Sequence, residues 1–279
     1  MEKADLHIHS NYSDGSDSVI ELIENIKKTD IKTFALTDHD TVDGCKEIEQ
    51  YIPDNIRFIK GVELTCESDG IECHILGYNC DIYNQTLADL ILKGKKLRRT
   101  KLDRRINFLK EKWDIELTQT ELDWLYSRKS VVKTHVANIL VKRGLAEDNV
   151  SAMKKYLDGC KSPNTKFTIT ESMQAIISSG GIPVWAHPLG GEGEVHINKN
   201  EFLTKLDTMK NLGIKGLECY YSRYNCEEIN MLTQVAVDNS LFITGGSDYH
   251  GTNKDIELCT LNSENKPIDK NLLTLLDKI

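Results

Sequence analysis

The chain has no long apolar run, no paired-cysteine motif, no Gly-rich phosphate-cradling loop and no excess of positive charge. Each absence excludes something. No stretch approaches the roughly 18 apolar residues of a membrane span, so no membrane association is expected. The first ten residues lack a basic stretch followed by an apolar one, so no signal peptide is expected, and the fold is expected to begin near residue 4. Cys45, Cys66, Cys73, Cys80, Cys160, Cys219, Cys226 and Cys259 include no CxxC pair. They read as reduced thiols with packing roles in a cytoplasmic protein. A formal net charge of −8 argues against binding to duplex nucleic acid, though it does not bear on a local basic site. Without a P-loop or a dinucleotide fingerprint, a kinase or a dehydrogenase finds no support.

What is present is histidine in suggestive places. Five of the eight histidines stand at or just beyond the end of an apolar, strand-like run. Asp5, Asp14, Asp38, Asp40, Glu63 and Asp248 accompany them. Imidazole and carboxylate without thiolate at matched spacing is the ligand set of Zn, Mn or Fe rather than of Ca or Mg. His7 and His9 lie two apart on a predicted strand, so both can face one ion. Thr37-Asp38-His39-Asp40 and Gly246-Ser247-Asp248-Tyr249-His250-Gly251 are dense polar clusters directly after apolar strands, poor as core and good as a site.

The pattern predicts strands at Ala4–His9, Thr33–Thr37, Arg57–Glu63, Glu72–Tyr78, Ile182–Ala186, Lys215–Tyr220 and Leu241–Thr244. Helices are expected at Ser18–Thr29, Val42–Gln50, Thr170–Ser179, Lys199–Leu212 and Glu227–Asn239, with Asp17 or Ser18 capping the first and Thr170 with Glu171 starting another. Strands alternating with helices point to a parallel α/β architecture. His7 and His9 end the first strand, Asp38 and His39 follow the second, and Glu63 ends the third. His74 lies in the fourth, His187 follows the fifth, Glu218 lies in the sixth, and Asp248 and His250 follow the last. Residues from many parallel strand ends converge at one mouth of a barrel, whereas an open sheet would spread them along an edge, so a TIM-like barrel is expected. Residues 81–164 break the rhythm. Asn84–Lys112, Thr118–Leu125, Lys133–Lys142 and Asn149–Leu157 read as a helical insertion domain between barrel segments 1–80 and 165–279.

The motifs Asp5-Leu-His7-Ile-His9-Ser10, Thr37-Asp38-His39-Asp40, Gly61-Val-Glu63, His74-Ile-Leu-Gly-Tyr78, Ala186-His187-Pro188 and Gly246-Ser-Asp248-Tyr-His250-Gly251 resemble those of the PHP (polymerase and histidinol phosphatase) superfamily. The resemblance is to the branch that acts on nucleotides, the 3′,5′-nucleoside bisphosphate phosphatases and the 5′–3′ oligoribonucleases. It implies a distorted (β/α)7 barrel with a helical insertion, and two to three divalent ions. Carried over position by position, one ion would take His7, His9, Glu63 and Asp248. A second would share Glu63 and add His74 and His187. A third would take Asp14, His39 and His250. Asp38 and Asp40 would orient histidines, and Glu218 would have a supporting role.

Lys93–Arg105 is the one concentrated basic run in this acidic chain, and Arg98, Lys101 and Arg105 share a helix face. Its ordinary use is as a solvated surface. Beside a hydrolytic centre, arginine forks bind phosphate, and Arg98 or Arg99 is the expected contact. Lys133-Thr-His135-Val-Ala137 resembles a family segment whose histidine reaches the active site. This implies His135 as phosphate ligand or general acid, with Lys133 in place of the usual arginine. Catalytic roles thus fall to His135 and Asp248. His196 reads as a surface residue, and Tyr78, Tyr220, Tyr221 and Tyr224 are candidates to stack on a base.

The expected activity is metal-assisted hydrolysis of a phosphomonoester on a small nucleotide of the 3′,5′-bisphosphate type. The rivals are 5′–3′ trimming of short RNA, hydrolysis of histidinol phosphate, a non-catalytic metal-binding module, and an amidohydrolase. The last would want a carbamylated lysine on a barrel strand, and no strand lysine is well placed.

Overall fold

Seven short apolar segments form one sheet in sequence order: β1 (Lys3–Asp5), β2 (Ile31–Leu36), β3 (Arg57–Ser68), β4 (Ile71–Tyr78), β5 (Ile182–Trp185), β6 (Gly216–Tyr221) and β7 (Phe242–Gly246). The computed structural model describes residues 2–68, 70–192 and 194–279. Pairing is parallel for β1–β2, β2–β3, β5–β6 and β6–β7. Strand β4 runs antiparallel to both neighbours, a departure from the all-parallel expectation. The reason is chain length: two residues separate Ser68 from Ile71, and a parallel crossover needs a dozen or more. Strand β3 also runs five residues past Glu63, which therefore lies within a strand rather than at its end.

Beyond β1 and β7 the chain stays paired. Leu6 N donates to Gly245 O at 3.1 Å, Asp248 N to His7 O at 2.8 Å, and His9 N to Tyr249 O at 2.9 Å. These bonds bring the two ends of the sheet together, as a barrel requires. Gly246 permits the approach, because a Cβ there would overlap the backbone of His7.

Helices α1 (Val19–Lys27), α2 (Asp43–Ile48), α7 (Ile169–Ser178), α8 (Lys199–Leu212) and α9 (Cys226–Asp238) connect the strands. Val19, Leu22, Ile23 and Ile26 give α1 a buried stripe at helical spacing, and Ser18 with Glu21 closes a capping box at its start. Helix α7 starts earlier than expected, because Thr168 rather than Thr170 caps it and pairs with Glu171. Helices α3 (Gln85–Trp113), α4 (Gln119–Ser127), α5 (Lys133–Lys142) and α6 (Asn149–Ala152) fill the insertion, with a π-helical turn at Met153–Leu157. Helix α3 spans about 43 Å. Its Leu87, Leu90 and Ile91 join the main core, while Leu102 and Leu109 join a separate cluster with Leu125, Val136, Leu140 and Leu157. One helix thus fastens two cores together. No helix among the described residues is long and apolar enough to cross a membrane.

Candidate metal centre

Glu63 is the hub of the site. Its Oε2 lies 2.9 Å from His39 Nδ1, 3.2 Å from His9 Nε2 and 3.4 Å from His7 Nε2. Its Oε1 lies 2.9 Å from His74 Nδ1 and 3.3 Å from His187 Nε2. The β3–β4 hairpin brings Glu63 and His74 together, the segments after β1 and β2 deliver His7, His9 and His39, and the turn after β5 delivers His187.

Asp248 and Asp14 border the cluster. Asp248 Oδ1 lies 3.3 Å from His9 Nε2, 3.4 Å from His250 Nδ1 and 3.6 Å from His7 Nε2. Asp14 Oδ1 lies 3.2 Å from His250 Nε2 and 3.8 Å from His39 Nε2. All nine ligand candidates (His7, His9, Asp14, His39, Glu63, His74, His187, Asp248 and His250) therefore converge. Three overlapping groups hold ligand atoms within 4.8 Å of one another: His9, Asp14, His39 and His250; His7, His9 and Glu63; and His39, Glu63 and His74. His9 and His39 each join two groups, an overlap the one-ion-per-set partition did not anticipate.

The donor set fits divalent metal. Asp14 Oδ1, His39 Nδ1 and Glu63 Oε2 are buried, and although His39 Nδ1 lies 2.9 Å from Glu63 Oε2 and Asp14 Oδ1 3.2 Å from His250 Nε2, none of the three is aligned in a hydrogen bond, a costly state that a bound cation relieves. Electrostatics point the same way. Burial alone would raise the carboxyl of Glu63, but His39, His74 and His7 outweigh it and hold it well below the usual range. Asp14 and Asp248 are likewise held low, by His250 and His39 and by Lys254 and His250 respectively. Burial and the neighbouring His250 push His9 down to about 4, leaving a neutral imidazole.

Surrounding groups aim these ligands. His7 Nδ1–H donates to Glu218 Oε1 at 2.8 Å, which turns Nε2 into the cluster, and His187 N donates to Glu218 Oε2 at 2.8 Å. Asp38 accepts from Ser10 N at 2.8 Å, Ser10 Oγ at 2.6 Å and Ser13 Oγ at 2.6 Å, so it braces the loop after β1. Asp40 turns away, accepting from Arg98 Nε at 2.6 Å and from Thr65 N at 2.9 Å. Asp40 and Asp248 both sit in left-handed backbone, at φ 51° and 58°.

A cleft of about 1440 Å³ opens over the centre. Asp14, His39, Glu63, His74, His187, Asp248 and His250 face it on one side, and Lys133, Thr134, Asn138, Lys142 and Lys154 of the insertion on the other. The remaining substrate candidates lie elsewhere. Arg98 is buried on Asp40 and also reaches Thr65 Oγ1 at 3.2 Å. Arg99 bonds Tyr126 O and packs over the Tyr126 ring. Neither borders the cleft. His135 is buried, its Nδ1 accepts from Val132 N at 3.1 Å, and burial pushes it down to about 4. Its ring lies beside the backbone of Ser13 rather than among the cleft-lining side chains. Tyr78, Tyr220, Tyr221 and Tyr224 are all buried, so none offers a face to a base. Tyr221 instead donates its hydroxyl to Asp248 Oδ2 at 3.0 Å. His196 is exposed and pairs with Glu228 at 2.8 Å.

Two side chains at the site were missed from the sequence. Lys254 Nζ lies 2.6 Å from Asp248 Oδ2, and Glu194 Oε2 lies 3.3 Å from His187 Nδ1. The available signal was proximity in the chain: Lys254 follows His250 by four residues, and Glu194 closes the Gly-rich loop after His187.

Residues 5–165 match the family model described as the PHP domain. A 5′–3′ exoribonuclease of Haemophilus influenzae is 31% identical over 254 residues, covering 89% of this chain and 90% of its own. A 3′,5′-nucleoside bisphosphate phosphatase of Chromobacterium violaceum is 25% identical over 257 residues, covering 90% and 88%. A solved structure from Bifidobacterium adolescentis, described as a metal-dependent phosphoesterase, superposes with a TM-score of 0.83 over 96% of this chain and 97% of its own, at 23% identity. The chain belongs to the PHP domain family.

Proposed function

We propose that this chain hydrolyses a phosphomonoester on a small nucleotide, of the 3′,5′-nucleoside bisphosphate type, at a centre of two to three divalent ions drawn from Mn, Fe and Zn. The observation that carries the reading is one carboxylate, Glu63, within 3.4 Å of five imidazoles at the base of an open cleft. Similarity to the C. violaceum bisphosphate phosphatase supports the substrate class. His7, His9, Glu63 and Asp248 would hold one ion, Glu63, His74 and His187 a second, and Asp14, His39 and His250 a third. Bound ions supply Lewis acidity and lower the pKa of coordinated water toward neutrality.

The chain's own part is positioning. Glu218 fixes the tautomer of His7, with the proton on Nδ1 and the free pair on Nε2. Asp38 braces the loop that carries Asp14. His135, with Nδ1 already accepting from Val132, keeps its proton on Nε2 and steadies the same loop from the insertion side. Lys133 lines the cleft but is paired with Asp158 at 2.6 Å, so it would greet substrate only by releasing that partner. The eight free thiols support placement in a reducing compartment, the cytoplasm.

A second reading, 5′–3′ trimming of short RNA, is favoured by the size of the cleft. At about 1440 Å³ it exceeds the roughly 300–1,000 Å³ of ordinary small-ligand sites. Similarity to the H. influenzae exoribonuclease supports it as well. The deciding experiment measures phosphate release by the Mn-loaded protein from adenosine 3′,5′-bisphosphate, with a 5′-phosphorylated trinucleotide in parallel. Rapid release from the bisphosphate alone establishes the phosphatase. Stepwise shortening of the trinucleotide establishes the exonuclease. Inactivity on both, with metal bound, overturns the proposal.

A further inference from the structure

Among the described residues, four lysines border the cleft: Lys133, Lys142, Lys154 and Lys254. They are not equivalent. Lys133 is paired with Asp158, and Lys142 and Lys154 are exposed on the insertion side. Lys254 stands at the metal-centre end, with its side chain only 22% exposed.

Its position is fixed by the segments that carry the ligand candidates. Ser16 N donates to His250 O at 3.0 Å, Thr252 N donates to Ser16 Oγ at 2.9 Å, and Asn253 Nδ2 donates to Asp14 O at 2.8 Å. The Gly251–Lys254 segment is thereby stapled to the loop bearing Asp14. From there Lys254 Nζ reaches Asp248 Oδ2, the oxygen that also accepts from Tyr221. Asp248 Oδ1, by contrast, faces His7, His9 and His250. The ammonium and the imidazole cluster therefore use opposite oxygens of one carboxylate, and the lysine does not occupy the side where an ion would sit.

An ammonium has three N–H donors, and Asp248 accounts for one. Lys254 borders open cleft, so the others have somewhere to point. We propose that Lys254 is a phosphate-binding residue, presenting its remaining N–H groups to a non-bridging oxygen of a phosphoryl group seated at the metal centre. The assignment rests on the phosphoesterase reading and gives it an anion contact that neither Arg98 nor Arg99 supplies. A compact point charge suits a single oxygen beside a crowded centre better than a planar guanidinium fork.

The test is calorimetric titration of inorganic phosphate into the Mn-loaded wild type, Lys254→Met and Lys254→Arg, with metal content of each determined by elemental analysis. Lys254→Gln serves as a second variant if Lys254→Met fails to fold. The expected result is full metal content in the neutral variant, phosphate affinity weakened by about tenfold or more, and partial recovery in Lys254→Arg. In turnover, KM should rise more than kcat falls. Wild-type phosphate affinity in the neutral variant would overturn the assignment. So would loss of metal from it, which would confine Lys254 to holding Asp248. If the Mn-loaded wild type itself binds no phosphate, the phosphoesterase reading falls, not merely the role of Lys254.

Discussion

Glu218 joins two strand ends through two residues: one carboxylate oxygen accepts from His7 Nδ1 and the other from the backbone N–H of His187, each at 2.8 Å. Both bonds are buried, so removing the carboxylate leaves a ring donor and a peptide donor unsatisfied. Glu218→Ala is expected to weaken Mn binding by about 10–100-fold, the usual cost of losing a partner behind a metal-bound histidine. Glu218→Gln keeps an acceptor for one of the two donors and should fall between. Equilibrium dialysis against Mn decides it. Unchanged affinity in Glu218→Ala would remove Glu218 from the support of the centre.

Glu63→Gln tests the hub. The amide keeps the volume and discards the charge around which five imidazoles gather. Because even partners behind the ligands cost about 10–100-fold in affinity, loss of a shared ligand should cost more than about a hundredfold in metal affinity and abolish turnover. Circular dichroism should remain that of the wild type. A variant that kept both its metal and its turnover would show that Glu63 is not shared between ions.

The sequence displayed the candidate ligands better than the groups that support them. His7, Glu63, His187 and Asp248 were visible because each accompanies an apolar run, and the strands themselves were legible from β-branched patterning. The direction of β4 was harder to see, because hydrophobic pattern carries no sign for strand polarity. Only the two-residue separation from β3 dictates it. The contact of Lys254 with Asp248 was invisible for a different reason: it depends on a loop stapled through Ser16 and Asn253, and loops have no periodicity to read. For Arg98, helical spacing shows which residues share a face but not what that face meets. Here it meets Asp40.

Arg98→Ala should therefore act on stability. The pair with Asp40 is almost sealed, with side-chain exposures of 9% and 6%. Removing the guanidinium strands a buried carboxylate one residue from His39, at a cost of about 3 kcal/mol. Arg99→Ala, on a half-buried side chain that bonds Tyr126 O and packs over the Tyr126 ring, should cost less, about 1 kcal/mol. Denaturant titration of the two variants separates these outcomes. If Arg98→Ala kept wild-type stability and raised KM instead, Arg98 would return to the substrate site.

Acid–base behaviour gives the last test, and the sign differs between the metal-free and metal-loaded states. In the metal-free protein burial alone would lower His7, His39 and His187, but neighbouring carboxylates outweigh it and raise all three above their usual 6.5: Glu218 for His7, Glu63 for His39 and Glu194 for His187. Their stabilisation is fully present below 6.5 and is lost as pH rises through the raised values. Asp14, Glu63 and Asp248 are depressed from 3.8, 4.5 and 3.8, so their share is present above those values and is lost as pH falls through the lowered ones. Above 6.5, where His9 and His135 (both pushed down to about 4) are neutral whether the chain is folded or not, metal-free stability should thus decline as pH rises. A bound ion needs neutral imidazoles, so loading releases protons and strengthens as pH rises. The Tm gained on adding Mn should grow from pH 6 toward pH 8 as the metal-free Tm falls. A metal-free Tm that climbed over that interval, or a gain from Mn that shrank, would mean that these histidines do not carry protons in the empty centre.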